Sequence, residues 1–396
     1  MTKPRLSSIG TALLLAAGLL TVASVPGSAN VATSVAAAPL TGMTAAPGFV
    51  SVAASAPKRD ALAKVAVIGT GGTIAGKSES RVGFQSYQPG RTPTAELVQY
   101  LQPEVGQIAD VSAVDFGGKG SGEYTIAEYH DLTRLVDEQL ARADAVVVAT
   151  GTQTMEELAY WLDLTVRSPK PVVVTGSMRP WTVIGSDGAP NLYNAIVLAA
   201  SRRTHCFGAV IMMNDEILAA RDATKTSTTR LDTIQSPELG ILGTVDEKRV
   251  RLLRAPARTR DCAQPQQWRT PFDLATMPRD RLVRTEVVYT YADAGGEPIT
   301  ALATAGVKGL VAAGTPSPQQ TTALMAAMQS GVVVVAANRN NSGAVYDTPG
   351  PVIPAEDLLP QKARLLLLLA LSRSSDPAQV RSLFQRYGVT EFDPIR

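Results

Sequence analysis

Cysteine and histidine are nearly absent from this 396-residue sequence, which holds two of each: Cys206, Cys262, His130 and His205. Two cysteines exclude a disulfide scaffold and any Cys-rich metal site, and two histidines leave a zinc centre short of ligands. The sequence therefore calls for no metal. Charge of one sign is also scarce: 37 Lys+Arg balance 35 Asp+Glu, giving +2. No electrostatic footprint points to nucleic acid. No serine–histidine–acid set is legible, because His130 falls on a predicted helix and His205 sits beside Cys206 ahead of a predicted strand. Both histidines read as structural. The G-x-x-x-x-G-K-[ST] of a P-loop and the full G-x-G-x-x-G of a dinucleotide site are missing. A nucleotide cofactor and the oxidoreductase chemistry that goes with it are disfavoured, so no cofactor is expected.

Apolar residues, by contrast, make up 45% of the chain, enough for full-sized cores. The first long apolar stretch, 9–25, follows Lys3 and Arg5 and precedes Gly27-Ser28-Ala29. Residues 1–29 thus read as a secretory signal peptide; an uncleaved membrane anchor is the rival, marginal in length for a span. The signal implies a secreted, periplasmic or cell-envelope protein with no membrane segment in its mature form. Residues 30–60, rich in Ala, Ser, Pro, Gly and Thr, read as a flexible tether. In an exported protein Cys206 and Cys262 could pair; two ordinary buried thiols is the alternative.

From residue 61 onward strands alternate with helices, which predicts an α/β fold with parallel sheets. We divide it into a larger N-terminal catalytic domain, 61–255, a basic linker, 256–283, and a smaller C-terminal α/β domain, 284–396. Strands are predicted at 65–68, 111–116, 145–149, 171–175 and 209–213, then at 287–291, 309–313 and 332–336. Helices are predicted at 94–101, 126–141, 155–164 and 190–200, then at 361–371 and 377–387. Thr94 and Thr154 are the expected N-caps, Thr154 forming a capping box with Glu157. Residues 81–91, 117–122 and 214–229 read as polar loops. The apolar run 365–371 is too short for a membrane span and reads as a buried helix.

The chemistry collects where strands end. Strand 65–68 runs into Gly69-Thr70-Gly71-Gly72-Thr73. The two glycines permit a tight turn that holds the Thr73 hydroxyl at the carboxyl end of a strand, where ligands of open α/β sheets bind. Thr73 reads as a nucleophile. Strand 145–149 runs into Thr150-Gly151-Thr152-Gln153-Thr154 ahead of a helix, whose N-terminal N–H groups suit an anion or a developing oxyanion. A hydroxyl nucleophile needs a base and an orienting group. Lys225 is the candidate base, since burial lowers a lysine's pKa, and Tyr87 the candidate proton relay. Ser121 follows the second strand. Each signal has a bland reading: a turn threonine is commonly a cap, and a loop lysine is commonly just solvated.

Together these residues resemble a family. Gly69 to Ala75, Thr150 to Glu157, Gly176-Ser177-Met178-Arg179-Pro180, Ser186-Asp187-Gly188, Asn191 to Ala195, Met213-Asn214-Asp215 and Arg221 to Thr226 stand in one order. So, more loosely, do Ala312-Ala313-Gly314, Arg339 to Gly343 and Pro360-Gln361-Lys362-Ala363-Arg364. From Val65 onward the chain resembles the bacterial-type L-asparaginases and glutaminase-asparaginases. The resemblance implies a two-domain α/β homotetramer built from intimate dimers. It implies hydrolysis of a small-molecule side-chain amide to acid and ammonia through an acyl-threonine ester. Thr73, Tyr87, Thr152 and Lys225 take the catalytic roles. Gly72, Ser121, Gly122, Thr152 and Gln153 take the substrate-binding roles. An acidic residue from a neighbouring subunit is a family feature, for which Glu356 is the stand-in.

The sequence departs from that pattern at Gln153, where the family usually has Asp to hold the substrate's α-ammonium. It departs at Gly122, where the family has Gln, and at Thr315-Pro316-Ser317-Pro318, which replaces a Gly- and Asn-rich turn. Thr150 stands where the family commonly has His. These departures leave two alternatives to a plain asparaginase: an amidase for amides lacking a free α-ammonium, and a non-catalytic binding protein on the same scaffold.

Overall fold

The computed structural model describes residues 61–262 and 268–390. The signal-peptide and tether expectations for residues 1–60, and part of the linker, lie outside the described residues. Near-continuous Val, Ile and Ala runs make strands buried on both faces, as parallel sheets covered by helices require. The larger sheet is built on five parallel strands: β1 (Ala63–Gly71), β2 (Ala109–Lys119), β3 (Ala145–Ala149), β4 (Val172–Thr175) and β5 (Ala209–Met213). Val65 of β1 pairs with Val111 on one side and Ala145 on the other.

Helices α1 (Thr94–Tyr100) and α4 (Gly188–Ser201) cover one face; α2 (Ile126–Leu140) and α3 (Met155–Thr165) cover the other. β6 (Glu216–Ala219) follows β5 as an antiparallel neighbour. A separate two-stranded pair, β7 (Thr224–Lys225) and β8 (Ile234–Gln235), comes next. β9 (Gly243–Asp246) and β10 (Arg249–Leu252) then extend the sheet antiparallel, for an order β10-β9-β6-β5-β4-β3-β1-β2.

The smaller domain has a four-stranded parallel sheet of β11 (Thr285–Tyr289), β12 (Gly309–Ala313), β13 (Val333–Ala337) and β14 (Ile353–Pro354). α5 (Glu297–Thr304) and α6 (Pro318–Gln329) lie on one face. α7 (Pro360–Arg373) and α8 (Pro377–Tyr387) lie on the other. α7 packs against β11, β12 and β13 and also against α3 of the larger domain. Leu365 to Leu369 are all buried there, at roughly 1.5–3 kcal/mol per leucine. A helix apolar all round is a helix packed all round, so the leucine run is a core element shared by both sheets. Among the described residues no helix is long and apolar enough to cross a membrane.

The larger sheet is therefore mixed rather than wholly parallel, because the polar stretch after β5 turns back as a hairpin instead of crossing over. β2 also runs further than its apolar core predicts. Its far end pairs with the β1 turn, Lys119 lying opposite Gly71 and its carbonyl accepting from the Gly72 N–H at 3.0 Å. α4 begins at Gly188, two residues before Pro190. Neither expected threonine cap forms. Thr94 lies inside α1 and donates to Asp115 Oδ1 at 2.5 Å. Thr154 makes no cap bond, and its hydroxyl donates to the Ser121 carbonyl instead. α5 and α6 escape the periodicity reading because they are Ala- and Thr-rich and half-exposed, with few buried positions to mark a face. The Thr315-Pro316-Ser317-Pro318 segment is the start of α6: Ser317 Oγ accepts from the Gln320 N–H at 3.1 Å as its N-cap. Cys206 and Cys262 are joined in a disulfide with Cα atoms 5.8 Å apart.

Candidate active site

Three strand ends meet in backbone contact. Gly71 and Gly72 adopt φ of 99° and 75°, values that side chains rarely tolerate. A Cβ on Gly72 would sit 2.2 Å from Gly151 Cα, and one on Gly151 would sit 3.0 Å from Ser121 Oγ. The turns after β1, β2 and β3 can approach this closely only as glycines. Thr70 donates to Thr150 Oγ1 at 2.8 Å, tying the first and third turns together through the threonine that departs from the family's histidine.

These turns, the 77–90 segment and β7 enclose a cleft of about 670 Å³. Every residue given a site role on the larger domain lines it: Gly72, Thr73, Tyr87, Ser121, Gly122, Thr152, Gln153 and Lys225. Thr73, 6% exposed, sits just past β1, and its Oγ1 lies 2.6 Å from the Tyr87 hydroxyl. On the other side Lys225 Nζ donates to Thr152 Oγ1 at 2.8 Å. Burial holds the Lys225 ammonium below the ordinary lysine range, and the Glu156 carboxylate partly offsets that. Two hydroxyls thus face one cleft, each with its own proton partner. Ser121 Oγ accepts from the Thr154 N–H at 3.2 Å, so the Thr154 expected to cap α3 fixes Ser121 from both sides.

Two lining positions are open. Gln153 is exposed on the wall, and a Cβ on Gly122 would meet nothing within 4 Å. Glu356 does not line the cleft; it pairs with Val345 in the smaller domain. His130 Nε2 lies 3.1 Å from the Met277 carbonyl and His205 Nδ1 lies 3.2 Å from Cys206 Sγ, both remote from the cleft lining. Among the described residues no group of three or more His, Cys, Asp or Glu is placed to hold a metal ion. Sequence reasoning missed Glu156, the buried carboxylate beside Lys225, because an acid in the first turn of a helix reads as a dipole partner. It also missed Phe84, Met178, Thr228 and Thr229 in the lining.

A buried threonine hydroxyl beside a tyrosine, facing a second threonine beside a lysine of depressed basicity, has the parts of a hydroxyl-nucleophile acyl-transfer site on a two-domain α/β scaffold. Residues 64–258 match the family described as Asparaginase, N-terminal, and residues 284–384 match the Glutaminase/Asparaginase C-terminal domain. The chain belongs to the asparaginase family. It is 36% identical to the probable periplasmic L-asparaginase of Haemophilus influenzae, over 82% of this chain and 93% of that one. It is 36% identical to L-asparaginase 2 of Escherichia coli over 83% and 94%. With the glutaminase-asparaginase of Pseudomonas fluorescens it shares 32% over 82% and 91%. The crystal structure of a probable cytoplasmic L-asparaginase from Campylobacter jejuni superposes with a TM-score of 0.77 at 34% identity, covering 82% of this chain and all of that one.

Proposed function

We propose that this protein hydrolyses the side-chain amide of L-asparagine, and of L-glutamine, to the acid and ammonia through an acyl ester on Thr73. The observation that carries the reading is the pair of hydroxyl–partner contacts, Thr73 with Tyr87 and Thr152 with Lys225, on two walls of one cleft. Thr73 Oγ attacks the amide carbon, and the C–N bond breaks. The hydroxyl's proton leaves with the nitrogen as ammonia, relayed by Tyr87. Water then attacks the ester carbon and restores the Thr73 hydroxyl, releasing the acid. As water attacks, neutral Lys225 takes the water's proton by way of Thr152 and returns it to the departing Thr73 Oγ, the work of a general base. Backbone N–H groups near the start of α3 face the developing oxyanion. Ser121 receives the substrate carboxylate.

The same reading takes the chain as exported by residues 1–29, tethered by 30–60, and divided at 61–255, 256–283 and 284–396. It assembles as a homotetramer of intimate dimers, to which Glu356 is the proposed acidic contribution across a subunit boundary. Side-by-side ammonia release from asparagine, glutamine and N-acetylasparagine, with Thr73→Ala as control, tests the function. Release that persists at the original rate in the control rejects the acyl-threonine route.

A second reading is favoured by uncharged, exposed Gln153 and open Gly122. A substrate α-ammonium loses a charge-assisted contact at Gln153, and an N-acyl or peptide-linked amide finds room beside Gly122. Faster turnover of N-acetylasparagine than of asparagine favours this second reading; the reverse favours the plain asparaginase.

A further inference from the structure

Glu156 is buried at 6% exposure and does not itself line the cleft. Its Oε1 accepts from the Thr224 hydroxyl at 3.1 Å and from the Lys225 backbone N–H at 3.2 Å. Its Oε2 accepts from Gln361 Nε2 at 3.0 Å and lies 3.9 Å from Lys362 Nζ. Gln361 and Lys362 belong to the first turn of α7, in the smaller domain. Lys362 is itself buried, and donates to the carbonyls of Ala220 at 3.0 Å, Arg221 at 2.7 Å and Ala223. One helix end therefore holds the backbone of 220–223 and, through one carboxylate, the residue that follows it into β7.

Charged groups crowd this junction from every side. Arg221 pairs with Asp222 and Asp357, and Arg364 pairs with Glu157 at 3.3 Å. Burial lowers Lys362 to about 8, with Glu156 and Asp222 opposing the drop. Removing one partner of such a buried charge network leaves the others uncompensated. The network is costly to build for stability alone, since apolar residues of the same shape can do as well. Its geometry has a second consequence. Lys225 meets Thr152 through a flexible four-carbon stem, and β7 is only two residues long. The stem's root is held by the short pairing with β8 and, from the α3 side, by the bond from its own N–H to Glu156.

We propose that Glu156 is a positioning residue that couples the first turn of α7 to the lysine half of the site, so that the seating of the smaller domain sets how Lys225 reaches Thr152. The proposal rests on Lys225 acting as the base in the function proposed above. It assigns the smaller domain a part in the chemistry although none of its described residues lines the cleft.

The test uses full-length protein carrying Glu156→Gln or Gln361→Ala. Glu156→Gln keeps the shape and loses the charge. The plateau kcat on asparagine is expected to fall at least about tenfold with KM within about twofold, since misplacing a catalytic group by an ångström can cost about 10²-fold. The acid limb of the kcat–pH profile moves to lower pH, because the anion that favours charged Lys225 is gone. Gln361→Ala is expected to lower kcat about threefold or more with the melting temperature little changed. A readout free of turnover accompanies these: the pH dependence of Lys225 acetylation by acetic anhydride, followed by peptide mass spectrometry, with its midpoint shifted down in Glu156→Gln. If wild-type protein releases no ammonia, the functional reading fails while the labelling still judges the coupling. The proposal is overturned if both variants keep wild-type kcat and labelling midpoint, or if activity falls only in step with melting temperature and the pH profile stays put. Should Glu156→Gln not fold, unchanged kcat in Gln361→Ala overturns it alone.

Discussion

The two walls of the cleft are built in opposite ways. Thr73 is rooted at the end of β1, a buried strand paired on both sides by β2 and β3, but its partner Tyr87 rides on an exposed surface segment. That segment is held by a Lys77–Gln88 bridge and by the Ile184 N–H donating to the Arg81 carbonyl. Thr152 and Lys225 face it from a wall where Glu156, Lys362 and Gln361 are drawn into one buried network. A site that admits and releases a small amide needs a wall that can part from it and a wall that cannot. Segments with few buried contacts open at low free energy, and networked cores do not. The tyrosine half has the first construction and the lysine half the second.

The comparison can be broken at several points. The largest effect is expected from Lys225→Met, which removes the proposed base from the fixed wall: kcat should fall about 10²–10⁴-fold with the melting temperature maintained. Tyr87→Phe removes one hydroxyl from the other wall and should cost about 10²-fold in kcat. Hydrogen exchange sharpens the contrast, with amides of residues 77–88 exchanging faster than those of 152–157 and 224–235. Equal protection would erase the difference. Gln153→Asp should lower KM for free asparagine about tenfold by adding a charge-assisted contact. The new anion favours charged Lys225, so the neutral base appears only at higher pH and the acid limb of activity shifts upward. An unchanged KM and pH profile would remove Gln153 from the account of specificity. The smallest effect on turnover is expected from pairing Cys206→Ser with Cys262→Ser: stability drops by about 2–4 kcal/mol while kcat stays within about twofold, the disulfide lying outside the cleft lining.

How far the site was legible in the sequence follows the same divide. The Thr73 and Thr152 turns announce themselves because buried strands of Val, Ile and Ala end in glycines, and only glycines allow the close approach seen at Gly72 and Gly151. The setting of Lys225 does not announce itself. It sits on a two-residue strand in a polar stretch that reads as loop, and pairing with β8 makes it a strand. Thr154 reads as a cap because local spacing favours that; the nearby Ser121 carbonyl takes the hydroxyl instead. Glu156 reads as one of two acids in a first turn, and its meaning comes from Gln361, 205 residues away. Local chemistry is written locally; the support for it is supplied by contacts between distant parts of the chain.

The central claim is that Thr73, rather than Thr152, carries the acyl group. Acid quench of the protein during turnover of asparagine, followed by proteolysis and mass spectrometry, reads this directly. The account predicts an aspartyl mass on the peptide containing Thr73 and none on the peptide containing Thr152. An adduct on Thr152, or no adduct in Lys225→Met protein that still releases ammonia at the wild-type rate, would contradict it.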